Sequence, residues 1–290
     1  MSQPQHTITF CDPSNNFTQS SAYETNRNIL LISLAESSSL GTYANNTNGL
    51  SPNTVFGMFL CRGDINATSC SECVKTAATE MATNCTLNKR AVIYYEECMV
   101  RYSNVSFFSL LEFIPNVVSY SNLPAPNPNR FNQTLSDKFN KLIPNVSSSS
   151  LIPYFVPDYE RVTQAEGSYE LESMVQCSPD LDQFNCTVCL LAASSRVSSC
   201  CGLPSFAQVF TPKCVLGYRT FVLPSPPLSP TSSPPLSLPP LSAPPPFLSQ
   251  TPPPKNVPSG SFSFNVIKGN EIFGRIVVAM TALVFALVNL

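Results

Sequence analysis

Hydrophobic positions recur along the chain in two rhythms. From Ala22 to Ser37 they return at helical spacing, with Ile29, Leu30, Ile32 and Leu34 forming an apolar side. Arg130 to Leu142 answers with Phe131, Leu135, Phe139 and Leu142. The apolar runs Asn53 to Cys61 and Ser168 to Cys177 read as strands. Cys70 to Asn84, rich in Ala, Thr and Glu, predicts a helix that Cys186 to Ser198 repeats. Ala91 to Tyr102, β-branched and aromatic, predicts one further strand. Helix, strand, helix and strand, met twice, predict an α+β class: each copy places two helices on one face of an antiparallel sheet.

Two breaks interrupt this pattern. Residues 115–129 hold four prolines (Pro115, Pro124, Pro126, Pro128) and are expected to link a first domain, 1–114, to a second, 130–223. From Pro224 to Pro258 come 15 prolines and one charge, Lys255. Such a stretch cannot bury a core, so 224–271 is expected to be a disordered stalk. In polyproline II form, at about 3.1 Å per residue, Pro224 to Pro258 reaches roughly 110 Å. Ser-Pro and Thr-Pro pairs recur in it at Ser225, Ser229, Ser233 and Thr251. Ile276 to Leu290 is uncharged. With Ile272, Phe273 and Gly274 beyond Arg275, the segment 272–290 is just short of the ~20 residues of a full span. It reads as a truncated transmembrane helix or as the tail of a lipid-anchor signal behind Ser259, Gly260 and Ser261. A buried core helix fits poorly, because the stalk separates it from both cores.

The twelve cysteines carry a repeat. Cys61-x8-Cys70-x2-Cys73-x11-Cys85-x12-Cys98 recurs as Cys177-x8-Cys186-x2-Cys189-x11-Cys201-x12-Cys214, each member 116 residues after its counterpart. Leu87 and Leu203, and Tyr102 and Tyr218, keep the same offset. A period this long is an internal duplication of a whole domain. Cys11 stands alone upstream, its counterpart by offset being Asn127, whereas the second copy adds Cys200 beside Cys201. An even count in two clusters reads as disulfides and a secretory compartment. Sequons at Asn16, Asn45, Asn66, Asn84, Asn104, Asn132, Asn145 and Asn185 support this weakly. No apolar leader stands within MSQPQHTITF, so either the true start lies upstream, which is the favoured reading, or the thiols stay reduced in the cytosol.

Composition then excludes several chemistries. A net charge of −2 offers no basic surface for nucleic acid. The single histidine, His6, lies in a terminus expected to fray, so Ser-His or Cys-His catalysis and histidine-ligated metal sites are not expected. The Cys-x2-Cys pairs fall in predicted helices with no second pair at ribbon distance, which argues against zinc. Glu96 and Glu97, read as neighbours on a strand, should point to opposite faces and not share a cleft. No cofactor is expected.

The doubled Cys-x8-Cys-x2-Cys core, the run Tyr95-Glu-Glu-Cys-Met-Val-Arg-Tyr-Ser-Asn-Val-Ser-Phe107, and Gln176-Cys-Ser-Pro-Asp-Leu181 resemble the plant ginkbilobin-homologous, salt-stress-response/antifungal domain over residues 8–222. That domain occurs in cysteine-rich receptor-like kinases and cysteine-rich repeat secretory proteins. The resemblance implies bridges Cys11–Cys85, Cys61–Cys70 and Cys73–Cys98, and in the second copy Cys177–Cys186 and Cys189–Cys214. Cys201 then either joins Cys200 in a vicinal bridge or leaves one thiol free. The family's mannose contacts fall on Asp12, Val92 and Ser103, none of which matches, and in the second copy on Gln208 and Arg219. No sugar-binding residues are carried over. The resemblance further implies a non-catalytic extracellular module that binds a glycan or peptide ligand in stress or defence signalling. Receptor-kinase co-receptors are implied as partners, and the membrane is reached through the C-terminal segment. A secreted antifungal or cell-wall glycoprotein is the alternative. These 290 residues contain no Gly-rich phosphate loop, so no kinase activity is expected of them.

Overall fold

The computed structural model describes residues 3–148, 154–164, 167–223 and 264–268. Copy one comprises β1 (His6–Cys11), α1 (Ala22–Ser37), β2 (Tyr43–Asn48), β3 (Val55–Cys61), α2 (Ala67–Asn84), β4 (Ala91–Tyr95) and β5 (Cys98–Ser103). Copy two comprises β6 (Val117–Ser121), α3 (Pro128–Leu142) with a 3-10 turn (Ile143–Ser148), β7 (Phe155–Gln164), β8 (Gly167–Cys177), α4 (Gln183–Cys200), β9 (Phe206–Phe210) and β10 (Cys214–Val222). A last strand, β11 (Phe264–Lys268), joins the second sheet. The strand orders are β1-β4-β5-β3-β2 and β11-β6-β9-β10-β8-β7, with every pairing antiparallel.

Several expectations are corrected. His6 is not frayed: it opens β1, its ring edge-on to Tyr95 at 5.3 Å. The apolar side of α1 is Tyr23, Leu30, Leu31 and Leu34, while Ile29 and Ile32 are 50% and 60% exposed. Ala91 to Tyr102 is a hairpin rather than one strand, because the chain turns at Glu96-Glu97 and pairs Tyr94 with Met99. The expected linker 115–129 contains β6, whose Val117 and Val118 are buried, so copy two begins earlier than residue 130. The expected stalk 224–271 contains β11. The rest of that stretch and the anchor segment 272–290 lie outside the described residues.

Register also relocates the counterpart of Cys11. Cys11 pairs with Ala91, and Ala207, 116 residues after Ala91, pairs with Tyr120. Tyr120, not Asn127, therefore stands in the place of Cys11, since 87 residues separate Tyr120 from Ala207 where 80 separate Cys11 from Ala91. The tyrosines that share the duplication offset make the same bond: Tyr102 Oη donates to Asn88 O at 2.9 Å and Tyr218 Oη to Pro204 O at 2.7 Å.

Local chemistry starts the helices. Asn66 Oδ1 accepts from Ser69 N at 2.8 Å at the start of α2, and Asp182 Oδ1 from Asn185 N at 2.8 Å at the start of α4. Such caps are worth about 1 kcal/mol. At the other end of α2, Arg27 reaches over from α1, almost wholly buried. Its Nη1 donates to the carbonyls of Cys85 at 3.0 Å and Thr86 at 3.3 Å, a cation placed where a helix leaves carbonyls unpaired. All twelve cysteines are bridged, as Cys11–Cys85, Cys61–Cys70, Cys73–Cys98, Cys177–Cys186, Cys189–Cys214 and the vicinal Cys200–Cys201. Cys73–Cys98 and Cys189–Cys214 each staple a helix to a neighbouring strand.

The helices cover one face of each sheet, and the other faces meet. Along β3, Val55, Phe59 and Cys61 pack towards the helices, while Met58 and Leu60 point the opposite way. Met58, Leu60, Val92, Tyr94 and Met99 of copy one form a single buried cluster with Phe210 and Val215 of copy two. Beside it lies an electrostatic clamp. The Phe107 ring has Arg101 at 4.0 Å and Lys213 at 5.4 Å, and Lys213 is paired with Asp180. Burial draws the Lys213 ammonium pKa down. Asp180 is also raised by burial, but hydrogen bonds from Lys213, Ser178 and the Ser109 amide outweigh this and hold its carboxyl below the usual range.

Two outcomes follow. Replacing Cys11 and Cys85 together by Ser should lower stability by about 4 kcal/mol, as expected for a loop of this length, measured by urea titration without reductant. Asp180, with a folded pKa below its unfolded value of 3.8, contributes above that value and loses its contribution as pH falls through the folded pKa. The gap in urea midpoint between wild type and Asp180→Asn should therefore be full at neutral pH and close below about pH 4.

Candidate ligand-binding cleft

The two sheets do not cover each other completely. Where they part, a cleft of about 520 Å³ opens between the loop after β3 and the outer face of β7-β8-β10-β9. Copy one supplies Arg62 and Asp64, and copy two supplies Phe155, Tyr159, Glu172, Phe206, Gln208 and Arg219 among others. Strand alternation explains the wall. Leu171 and Val175 of β8 face the helices, so Glu172 and Met174 face the cleft.

The join between the copies fixes the geometry. Gln176 Nε2 donates to Cys61 O at 2.9 Å, and its Oε1 accepts from Gly63 N at 3.2 Å. Gly63 lies against the Phe155 ring so closely that a Cβ there would stand 2.4 Å from Phe155 Cγ. Arg62 is held by Asp64 Oδ1 at 2.6 Å and by Glu96 O at 3.1 Å. Arg219 lies 5.0 Å over the Phe206 ring. Gln208 is 1% exposed, and its Nε2 has no hydrogen-bond partner among the described residues. Opposite it stands Gly217, where a Cβ would come within 3.2 Å of the Gln208 side chain. A buried amide donor without a partner is costly, and this one lies at the floor of an open cleft ringed by aromatic and charged groups.

Glu96 and Glu97 require a correction. They sit on the β4–β5 turn, not along a strand, and both line a small recess beside Arg62, Gln176 and Gln208. Burial, and then Glu97, push the Glu96 carboxyl above its ordinary range, while Arg219 and Arg62 pull it down.

The positions aligned with the family's sugar contacts separate by copy. Asp12 is turned to Ser14, Val92 is buried between the sheets, and Ser103 is buried, with its Oγ accepting from Val105 N at 3.0 Å. Gln208 and Arg219 both line the cleft. Phe155 and Tyr159 escaped the sequence reading because no motif marks β7, and Glu172 because the strand read over Ser168 to Cys177 carries no sign of which face meets a cleft. Among the described residues no cluster of three or more His, Cys, Asp or Glu could hold a metal ion. No helix among them is long and apolar enough to cross a membrane. Six sequon asparagines (Asn16, Asn45, Asn66, Asn84, Asn132, Asn145) are exposed, while Asn104 and Asn185 are half-buried.

Two copies of a six-cysteine α+β unit, packed sheet to sheet, define a tandem cysteine-rich extracellular domain pair. The salt stress response/antifungal family model matches residues 10–105 and 120–220, and the chain belongs to that family. It is 69% identical over 299 residues to cysteine-rich repeat secretory protein 9 of Arabidopsis thaliana, covering 100% of this chain and 92% of that protein. To cysteine-rich repeat secretory protein 8 of the same plant it is 53% identical over 282 residues, covering 93% and 89%. Among solved structures it is similar to the tandem DUF26 ectodomain of the Arabidopsis thaliana cysteine-rich receptor-like protein PDLP5, with a TM-score of 0.55 at 28% identity, covering 74% of this chain and 98% of that one. It shares the fold of the PDLP8 ectodomain, with a TM-score of 0.61 at 23% identity, covering 75% and 98%. The chain is an extracellular module of that family.

The contact of Gly63 with Phe155 is open to test. Gly63→Ala should push the ring from its seat and destabilise the protein by about 1–3 kcal/mol. The urea midpoint should fall with the slope unchanged.

Proposed function

We propose that this protein is a binding module that senses an extracellular glycan or short peptide through the cleft between its copies, in stress or defence signalling. The observation that carries the reading is the unpartnered Gln208 amide at the floor of the cleft. A turn of the buried Gln208 side chain would bring its amide to a ligand hydroxyl or carbonyl, the Phe155 and Phe206 rings would offer apolar faces, and Arg62 and Arg219 would supply further donors. N-linked glycans on the exposed sequons and an anchor formed by 272–290 belong to the same proposal. The uncharged run Ile276–Leu290 supports the anchor. Receptor-kinase co-receptors are the partners through which a bound ligand would be reported.

Arrays of plant and fungal cell-wall oligosaccharides and of extracellular peptides, probed with the purified protein, test the reading, with calorimetry on each hit. Gln208→Leu keeps the side-chain volume and removes the amide. It should weaken binding about tenfold or more, and Arg219→Ala should weaken it further. Ligands that bind both variants as tightly as wild type would refute the cleft as the site.

A further inference from the structure

Copy one ties down its first strand covalently, through Cys11 on β1 to Cys85 after α2. Copy two has no such tie, because Tyr120 stands where Cys11 does and Cys201 is joined to Cys200. What β6 has instead is a sixth strand on its outer edge. β11 pairs with it over five residues, from Phe264 against Ser121 to Lys268 against Val117. Among its side chains, Asn265 bonds Asn122, and the Lys268 ammonium lies 5.4 Å from the Phe10 ring of copy one. The attachment is chiefly a backbone ladder, which any chain bearing the same strand can form.

The connection to this strand is long for its task. β10 ends at Val222, and β11 begins at the same end of the sheet, three strand spacings away, or about 14 Å. The join includes 224–263, forty residues of which 15 are proline. That composition favours polyproline II, about 3.1 Å per residue and therefore about 120 Å of reach. Bending back a segment of that composition costs more than closing a Gly- or Ser-rich loop of the same length. The same strand arriving from another molecule avoids that bend.

We propose that the edge of β6 is a strand-receiving site, filled here by the chain's own Phe264–Lys268 and open to the same residues of a second copy, so that the protein forms strand-exchanged dimers. The inference is independent of the cleft.

The test uses the full chain with its disulfides intact, in mild detergent to shield the apolar C-terminal run. Mass is read by light scattering after size exclusion across a wide concentration range, for wild type and for the double variant Asn265→Pro, Val266→Pro. Successive residues of a strand alternate in facing the partner, so the two prolines remove at least one ladder hydrogen bond whichever residue donates. Both proteins keep the apolar run, so a difference between them belongs to the strand. Wild type should double its mass with concentration, the variant should stay monomeric, and a peptide of residues 262–270 should return the dimer to monomer. A wild type that is monomeric throughout overturns the proposal. So does a double variant that dimerises like wild type, or a dimer indifferent to the peptide.

Discussion

The structure depends on one contact, the burial of two sheets against each other through faces that carry no helices. Met58, Leu60, Val92, Tyr94 and Met99 meet Phe210 and Val215 there. Because sheet one is thus covered on both sides, β3 and β4 are apolar at nearly every position, where a half-exposed strand would alternate. The same contact decides where a ligand can enter. It covers copy one's outer face and leaves part of copy two's open, which is where Gln208 and Arg219 lie.

The disulfides act on a different level. Each bridge ties elements within one copy, and none crosses between copies. The union of the copies therefore rests on non-covalent forces: the apolar cluster, the Gln176 bridge to Cys61 and Gly63, and the Phe107 clamp with its Lys213–Asp180 pair. Cysteine chemistry keeps each half folded, and side-chain packing sets their relation.

Much of the fold was legible in the sequence, and the reasons are physical. Cysteine spacing is rigid across a duplication, so the repeat showed without any structure, and the four helices announced themselves by apolar period or composition. What escaped was short, two-faced or, like the ten-residue β7, polar and largely exposed. β6 is five residues flanked by prolines, and β11 follows a Pro-rich stretch, so composition outweighed local pattern at both. The hairpin at Glu96-Glu97 was lost because strand-forming residues stand on either side of a turn that has no Gly or Pro. The cleft was not legible: alignment touched Gln208 and Arg219 but carried no binding role to them, and an apolar run such as Val55–Cys61 does not say that its second face meets another sheet, so the opposing wall was invisible.

Matched positions of the duplication line up across the shared core. Tyr94 and Phe210 are counterparts, as are Met99 and Val215, and all four sit in the same cluster. Such a seam is what an association of two identical single-copy chains would make. Joining the halves in one polypeptide frees them from having to be alike. Val92 has kept an apolar seat in the seam, while its twin, Gln208, is a polar group at the bottom of the opening. A symmetric pair of identical chains would have to carry the same residue at both places, so the covalent join is what allows an apolar side chain in one half and a polar one in the other.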